Sequence, residues 1–296
     1  MSKSVLLSGF HFNDGPSLVF DRFSGPVERF SVPLTNHSFT LTAQDERFCT
    51  GSFDLAILEG SPCKDQTSLV NTTNNSCYPC FEETGFNPSF YHMDKSDISA
   101  QQRAYNMLPH AVYLAYFTDG LIKVGISSDK RKEVRWVEQG ARWVAHILSC
   151  ENAYEARHNE ERISKELKLP EVVLGKKKRS IISSALNEQL AKESLISLID
   201  KIEVELKIPC QHGLIYGFDQ IYNPSGIKLK HTILDLTEEK GKKISGKFVG
   251  LYGDLLIVEN DQKQFMFSLK KMIAHQVEMI DSLESVDFQP QQITLF

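Results

Sequence analysis

Six cysteines occur in this chain of 296 residues, and four of them, Cys49, Cys63, Cys77 and Cys80, fall within 32 residues. Cys77-Tyr78-Pro79-Cys80 has the two-residue gap that lets neighbouring thiolates reach one tetrahedral ion, and the two earlier cysteines complete a four-sulfur shell. A closed shell of this kind holds zinc and is structural, folding a loop-rich segment that has few apolar residues of its own. The competing reading makes Cys49 and Cys63 ordinary buried cysteines, because Ser52 stands where Cys49 would want a partner. Redox chemistry is disfavoured, since no βαβ pattern surrounds the C-x-x-C pair. Cys150 and Cys210 stand alone and read as packing residues, and His92 and His110 as isolated structural histidines.

The second chemical group centres on Glu160. If residues 151–168 form a helix, Ala153, Ala156, Ile163 and Leu167 mark one face, and Glu160 completes their 3-4 spacing, so a carboxylate points inward. It reads either as a hard oxygen ligand for a divalent cation or as a partly buried partner of Arg157 or Arg135. Cations gather around it. Between Leu121 and Ser180 there are 14 Lys/Arg against 9 Asp/Glu, a local +5 in a chain of net charge -5. That asymmetry suits a face that meets a polyanion. Arg131, Lys132, Arg135 and the run Lys176, Lys177, Lys178 and Arg179 are the candidate nucleic-acid contacts, with a solvated face as the plain alternative.

Elements must hold these groups in place. Ala111–Phe117 and Leu121–Ile126 flank Thr118-Asp119-Gly120, and Asp-Gly between apolar runs signals a β-hairpin. A helix, a strand and the Glu160 helix follow. Residues 1–48 show short β-like runs broken by Gly-Pro and Asn. The stretch from Ser96 to Met107 reads as a short helix, and 183–207 as a long one on the spacing of Leu186, Leu190, Ile196, Ile199, Ile202 and Leu206. β patterning returns over 208–283, with 213–222 and 227–236 as strands and Gly250–Gly253 as a tight turn. Trp136 and Trp143 read as core residues ahead of base-stacking platforms. No apolar run approaches the roughly 20 residues of a membrane span, and no signal-peptide pattern opens the chain. The expected setting is cytoplasmic and nucleoid-associated, with no membrane partner.

Ala111-Val112-Tyr113, ten residues before Lys123-Val124-Gly125, resembles the paired strand motifs of the GIY-YIG nuclease superfamily. Arg135 and Glu160 fall where that superfamily carries an arginine and a metal-binding glutamate. With Cys49-Thr50-Gly51, Pro62-Cys63, the C-x-x-C knuckle and Gln139-Gly140-Ala141, the stretch from Phe48 to about Leu190 resembles an uncharacterised family, domain of unknown function 2797. The resemblance implies metal-dependent phosphodiester cleavage with Tyr113, Lys123, Arg135 and Glu160 as catalytic residues. Glu160 would hold magnesium or manganese, Arg135 would stabilise charge on the phosphate with its planar fork, and Tyr113 would orient or deprotonate the water. Lys123 stands in place of the superfamily's second tyrosine, as a phosphate contact, a proton-transfer group of depressed pKa, or the mark of a dead site. Tyr113 is also open to a plain core role.

The last residues, Gln292, Ile293, Thr294, Leu295 and Phe296, resemble the peptide by which bacterial replication and repair proteins bind the sliding clamp. Leu295 and Phe296 would be apolar anchors, with Ile293 beside them and the Gln292 amide fixing register; the alternative is a terminal strand packed on its own domain. The reading is therefore an α+β protein: an N-terminal β region (1–48), a four-cysteine zinc-binding segment and connector (49–109), a GIY-YIG-like α/β domain (110–182), a helix (183–207), a small β module (208–283) and a tail (284–296). Its expected function is clamp-tethered cleavage of DNA in repair or replication. The alternative is a catalytically inactive DNA-binding adaptor recruited by the clamp.

Overall fold

The computed structural model describes residues 4–23, 26–182, 184, 186–238 and 243–284; Gln292, Ile293, Leu295 and Phe296 lie outside the described residues. The fold is mixed α+β. In chain order it runs β1 (Val5–His11), β2 (Ser17–Arg22), β3 (Glu28–Pro33), β4 (Ser38–Arg47), β5 (Ser52–Asp54), β6 (Glu59–Ser61), α1 (Tyr78–Thr84) and α2 (Ala100–Asn106). The centre supplies β7 (His110–Thr118), β8 (Leu121–Ser128), α3 (Lys132–Glu138), β9 (Trp143–Cys150), α4 (Ala153–Leu167), α5 (Gly175–Ile181) and α6 (Glu188–Leu206). Then come β10 (Ile215–Gly217), α7 (Asp219–Tyr222), β11 (Ile233–Asp235), β12 (Lys243–Tyr252), β13 (Leu255–Asn260), β14 (Lys263–Ser268) and β15 (His275–Ile280). No helix among the described residues is long and apolar enough to cross a membrane.

Residues 1–48 and 208–283, expected as separate β regions, share one nine-stranded sheet of order β11-β14-β13-β12-β4-β15-β1-β2-β3. β15 is hydrogen-bonded between β1 and β4, pairing Val277 with Val5 on one side and with Ala43 on the other. A single core draws on both ends of the chain: Leu7, Leu18 and Phe39 meet Phe248, Leu256 and Val277. The turn expected at Gly250–Gly253 falls later. β12 keeps its pairing with β13 through Tyr252↔Leu255 after a bulge at Phe248–Gly250, so Gly253-Asp254 make the two-residue loop. Gly253 has φ +62°, as such loops require.

The central sheet has order β10-β9-β7-β8. Thr118 pairs with Leu121 across Asp119-Gly120, giving the expected hairpin. β7 is one of the two inner strands and is covered on both faces, which is why its sequence is a continuous apolar run. Val112, Leu114 and Tyr116 face a core shared with α4 and α6. Tyr113, Ala115 and Phe117 face the opposite way, into a core with Trp136, Tyr222 and residues of β12 and β13. Trp136 and Trp143 are both buried core residues. Several elements differ from expectation: the helix over 96–107 begins at Ala100 with Ser99 as its cap, the helix over 183–207 begins at Glu188, the β reading of 213–222 resolves into β10 and α7, and of 227–236 only Ile233–Asp235 is strand; the basic run 176–179 is helical.

Candidate functional site

Tyr113 and Gly125 are register partners on β7 and β8. The glycine leaves room for the tyrosine ring, since a Cβ there would lie 2.7 Å from both Cζ and Oη. Lys123, two residues earlier on the same face of β8, carries its Nζ 5.7 Å from the ring centroid. The Tyr113 hydroxyl accepts a hydrogen bond from Gln139 Nε2 at 2.8 Å, and Gln139 Nε2 also donates to the Arg135 carbonyl at 2.9 Å. The end of α3 thus locks the ring. Burial pushes the Tyr113 hydroxyl up to about 12, against the pull of the Arg135 cation. At neutral pH it is a phenol, fit to donate or hold a hydrogen bond rather than to act as a free base.

Lys123 Nζ donates to the Glu171 carbonyl at 3.1 Å. Burial brings this ammonium down to about 8, with Arg135 adding repulsion and Glu160 opposing it. Glu160 projects from the face of α4 that also buries Ala153, Ala156 and Ile163. Its Oε2 accepts from Arg157 Nη1 at 2.7 Å, and Glu171 Oε2 accepts from the same nitrogen at 2.7 Å. Burial raises the Glu160 carboxyl, while Arg157 draws it back. The ion-pair reading of Glu160 with Arg157 is therefore realised, and two carboxylates share one guanidinium. Both carboxylates are hard oxygen donors, and both are engaged by Arg157.

Arg135 and Glu160 line one cleft of about 290 Å³, together with Arg131, Arg157, Tyr91, Tyr105 and Asn106. Arg135 is exposed at the cleft, whereas Tyr113 and Lys123 do not line it and are 1% and 7% exposed. A wider hollow of about 550 Å³ on the β1–β3 face is lined by Phe20, Phe30 and the Arg22–Glu28 ion pair; none of the four sequence candidates reaches it.

The other basic candidates divide. Arg131 pairs with Glu138 at 2.9 Å and Lys132 with Asp129 at 2.5 Å. Lys178 donates to the Gln139 carbonyl at 2.6 Å and sits over Phe117, while Arg179 pairs with Asp235 and Glu238. Lys178 and Arg179 are thereby engaged in fixing α5 to the body of the protein, and Lys176 and Lys177 are the exposed members of the run.

The four cysteines of the amino-terminal half meet. Cys49, Cys63, Cys77 and Cys80 are all buried, and their sulfurs lie within 4.8 Å of one another. Four thiolates about 2.3 Å from one tetrahedral zinc would stand roughly 3.8 Å apart, inside that limit. The donor set suits a soft ion, and the backbone suits thiolates: Cys77 N–H and Gly51 N–H both donate to Cys49 Sγ, at 3.1 and 3.3 Å. Burial pushes the Cys49 thiol up to about 11 and raises Cys80 as well, a cost that a bound cation offsets. Gly51 has φ +95°, and a Cβ on it would strike the Ser61 carbonyl at 1.8 Å, so this chain path requires glycine. Beyond Cys80, α1 ends at Gly85, whose carbonyl accepts from Ser99 Oγ, the cap of α2. The cysteine cluster therefore anchors the segment that becomes one wall of the cleft. A second acidic and histidine group, Asp200, Glu203 and His212, is solvent-facing.

Sequence reasoning named Arg157 as a partner of Glu160, three residues before it on one helix face, and passed over three other participants. Gln139 was noticed within its tripeptide without a role, and Glu171 and Asn106 had no local signal.

Residues 36–277 match the family model described as "Protein of unknown function (DUF2797)". No curated protein and no solved structure matches the chain.

Proposed function

Because the chain belongs to the DUF2797 family, whose description names no activity, the site itself must carry the reading, and we propose a metal-dependent, GIY-YIG-like endonuclease acting on DNA in repair or replication. The supporting observation is that Arg135 and Glu160 line one cleft; Tyr113 and Lys123 are buried, and each feels the charges of Arg135 and Glu160. A magnesium or manganese ion held at Glu160 would polarise the phosphoryl group. Arg135 offers its fork to the non-bridging oxygens as charge builds there. The Tyr113 phenol, held by Gln139, orients the attacking water. The water oxygen bonds to phosphorus and the P–O ester bond breaks; the leaving oxygen takes a proton from the Lys123 ammonium, brought down to about 8, and the proton that the attacking water gives up restores that ammonium.

In this reading the carboxy-terminal Gln292, Ile293, Leu295 and Phe296 tether the enzyme to a bacterial sliding clamp. The test is cleavage of plasmid, flapped and branched DNA with magnesium or manganese. Wild type should cut, while Glu160→Ala and Arg135→Ala should lose about a hundredfold or more; equal activity for wild type and Glu160→Ala would sink the proposal.

A second reading, a catalytically inactive DNA-binding adaptor, is favoured by the near-complete burial of Tyr113 and Lys123 and by the claim of Arg157 on Glu160. It requires DNA binding that weakens with salt and no cleavage with either metal.

A further inference from the structure

The cleft in front of Glu160 holds polar atoms that the chemistry above does not use. Asn106, at the end of α2, lines it and is fully buried, yet neither its Oδ1 nor its Nδ2 has a hydrogen-bond partner among the described residues. Ser128, at the end of β8, lines the same cleft, is 1% exposed, and its Oγ is likewise unpartnered. Leaving such groups unsatisfied is costly, so each is met by a ligand or by ordered water that a ligand would displace. Phe86, Tyr91 and Tyr105 add aromatic walls, and Arg131 and Arg135 bring positive charge.

Each feature narrows the ligand. A carboxamide offers one acceptor and a donor side by side, the complement of the adjacent donor and acceptor on a nucleobase edge. Aromatic walls favour a planar ring over a sugar or an aliphatic chain. The arginines suit a phosphate attached to that ring. A space of about 290 Å³ holds one base and not a stretch of strand. We infer that this cleft accepts a single unstacked nucleobase of a nucleic-acid strand, with Asn106 and Ser128 bonding its edge between aromatic walls. The inference rests on the nucleic-acid reading of the site and names its substrate as a strand with an extrahelical or unpaired nucleotide.

The test uses the full chain without added magnesium. Binding is measured by calorimetry for nucleoside 5′-monophosphates and for ribose 5-phosphate, and by fluorescence for duplexes with and without one extrahelical 2-aminopurine. The nucleotide should bind about tenfold or more tighter than ribose 5-phosphate, and the bulged duplex tighter than the paired one by a similar factor. Asn106→Leu should erase both preferences while raising the melting temperature, because it removes two unpartnered buried polar atoms. Ser128→Ala should reduce the preferences severalfold, and it serves as the deciding variant if Asn106→Leu does not fold. Equal binding of ribose 5-phosphate and nucleotide, or unchanged preferences in both variants, would overturn the inference. A nucleotide preference without a bulge preference would overturn its assignment to a strand. Cleavage by wild type without any base preference removes the base site and leaves the nuclease reading; base preference without cleavage does the reverse.

Discussion

Tyr113 and Gly125 fit as ring and socket: the aromatic ring of one lies where any side chain on the other would have to stand. The pairing joins β7 to β8 and fixes the hydroxyl toward Gln139. Gly125→Ala should therefore displace the ring, costing about 1–3 kcal/mol as an overpacked core does. Thermal unfolding reads the cost, and a fall in DNA cleavage larger than that of a surface control would tie ring position to activity. An unchanged melting temperature would mean that the ring has room to spare.

Tyr113→Phe keeps the ring and removes only the hydroxyl. Gln139 Nε2 retains the Arg135 carbonyl, so the loss in stability should stay near 1 kcal/mol. If the hydroxyl orients water, cleavage should drop about a hundredfold. A variant as active as wild type would return Tyr113 to the core.

Lys123 gives a pH signature. Burial brings its ammonium down to about 8 from the ordinary 10.5, so between those values the unfolded chain binds more protons and stability rises with pH. Below about 8 the cost of the buried cation is fully present. Lys123→Met should be more stable than wild type at pH 7, and its stability should rise less between pH 8 and 10, by on the order of 2 kcal/mol. Urea melts across that range check the sign, and parallel curves for the two proteins would contradict it.

For the cysteine cluster, elemental analysis should find about one zinc per chain. Cys77→Ser or Cys80→Ser should lower both zinc content and melting temperature, since metal affinity is folding free energy in such segments. Because α1 and Gly85 lead into α2, the same variants should also loosen the cleft wall, seen as faster amide exchange over 86–106. Full zinc content with native stability would remove the four-thiolate site.

Deleting Gln292–Phe296 should abolish binding to a bacterial sliding clamp while preserving melting temperature and cleavage of free DNA. Undiminished affinity in a surface-binding measurement would refute the tail reading.

The hairpin at Asp119-Gly120 and the inward turn of Glu160 were legible because each depends on local spacing. The C-x-x-C pair was legible for the same reason, but its union with Cys49 and Cys63 depends on the path through Gly51 and Ser61, which no local pattern encodes. Strand runs in 1–48 and in 243–280 were visible as strands and not as neighbours, since alternation marks a face and says nothing of a partner, whereas 213–222 and 227–236 hold only the short strands β10 and β11. Lys178 and Arg179 read as a solvated or phosphate-contacting run, because charge alone does not reveal a carbonyl or a carboxylate brought near by folding. Asn106 was invisible for a related reason: its chemistry comes from what surrounds it.

The insertion of β15 between β1 and β4 bears on how the molecule is made. As the ribosome extends the chain, β1 and β4 emerge more than two hundred residues before the strand that joins them, so the large sheet cannot close until translation reaches Ile280. The hairpin of β7 and β8, whose contacts are local, is free to form well before that. Until closure, β1 and β4 each present an unpaired backbone edge, the kind of surface that other chains capture. Truncation near the carboxyl end should therefore be read first as a failure of the amino-terminal strands, however far away in sequence they lie.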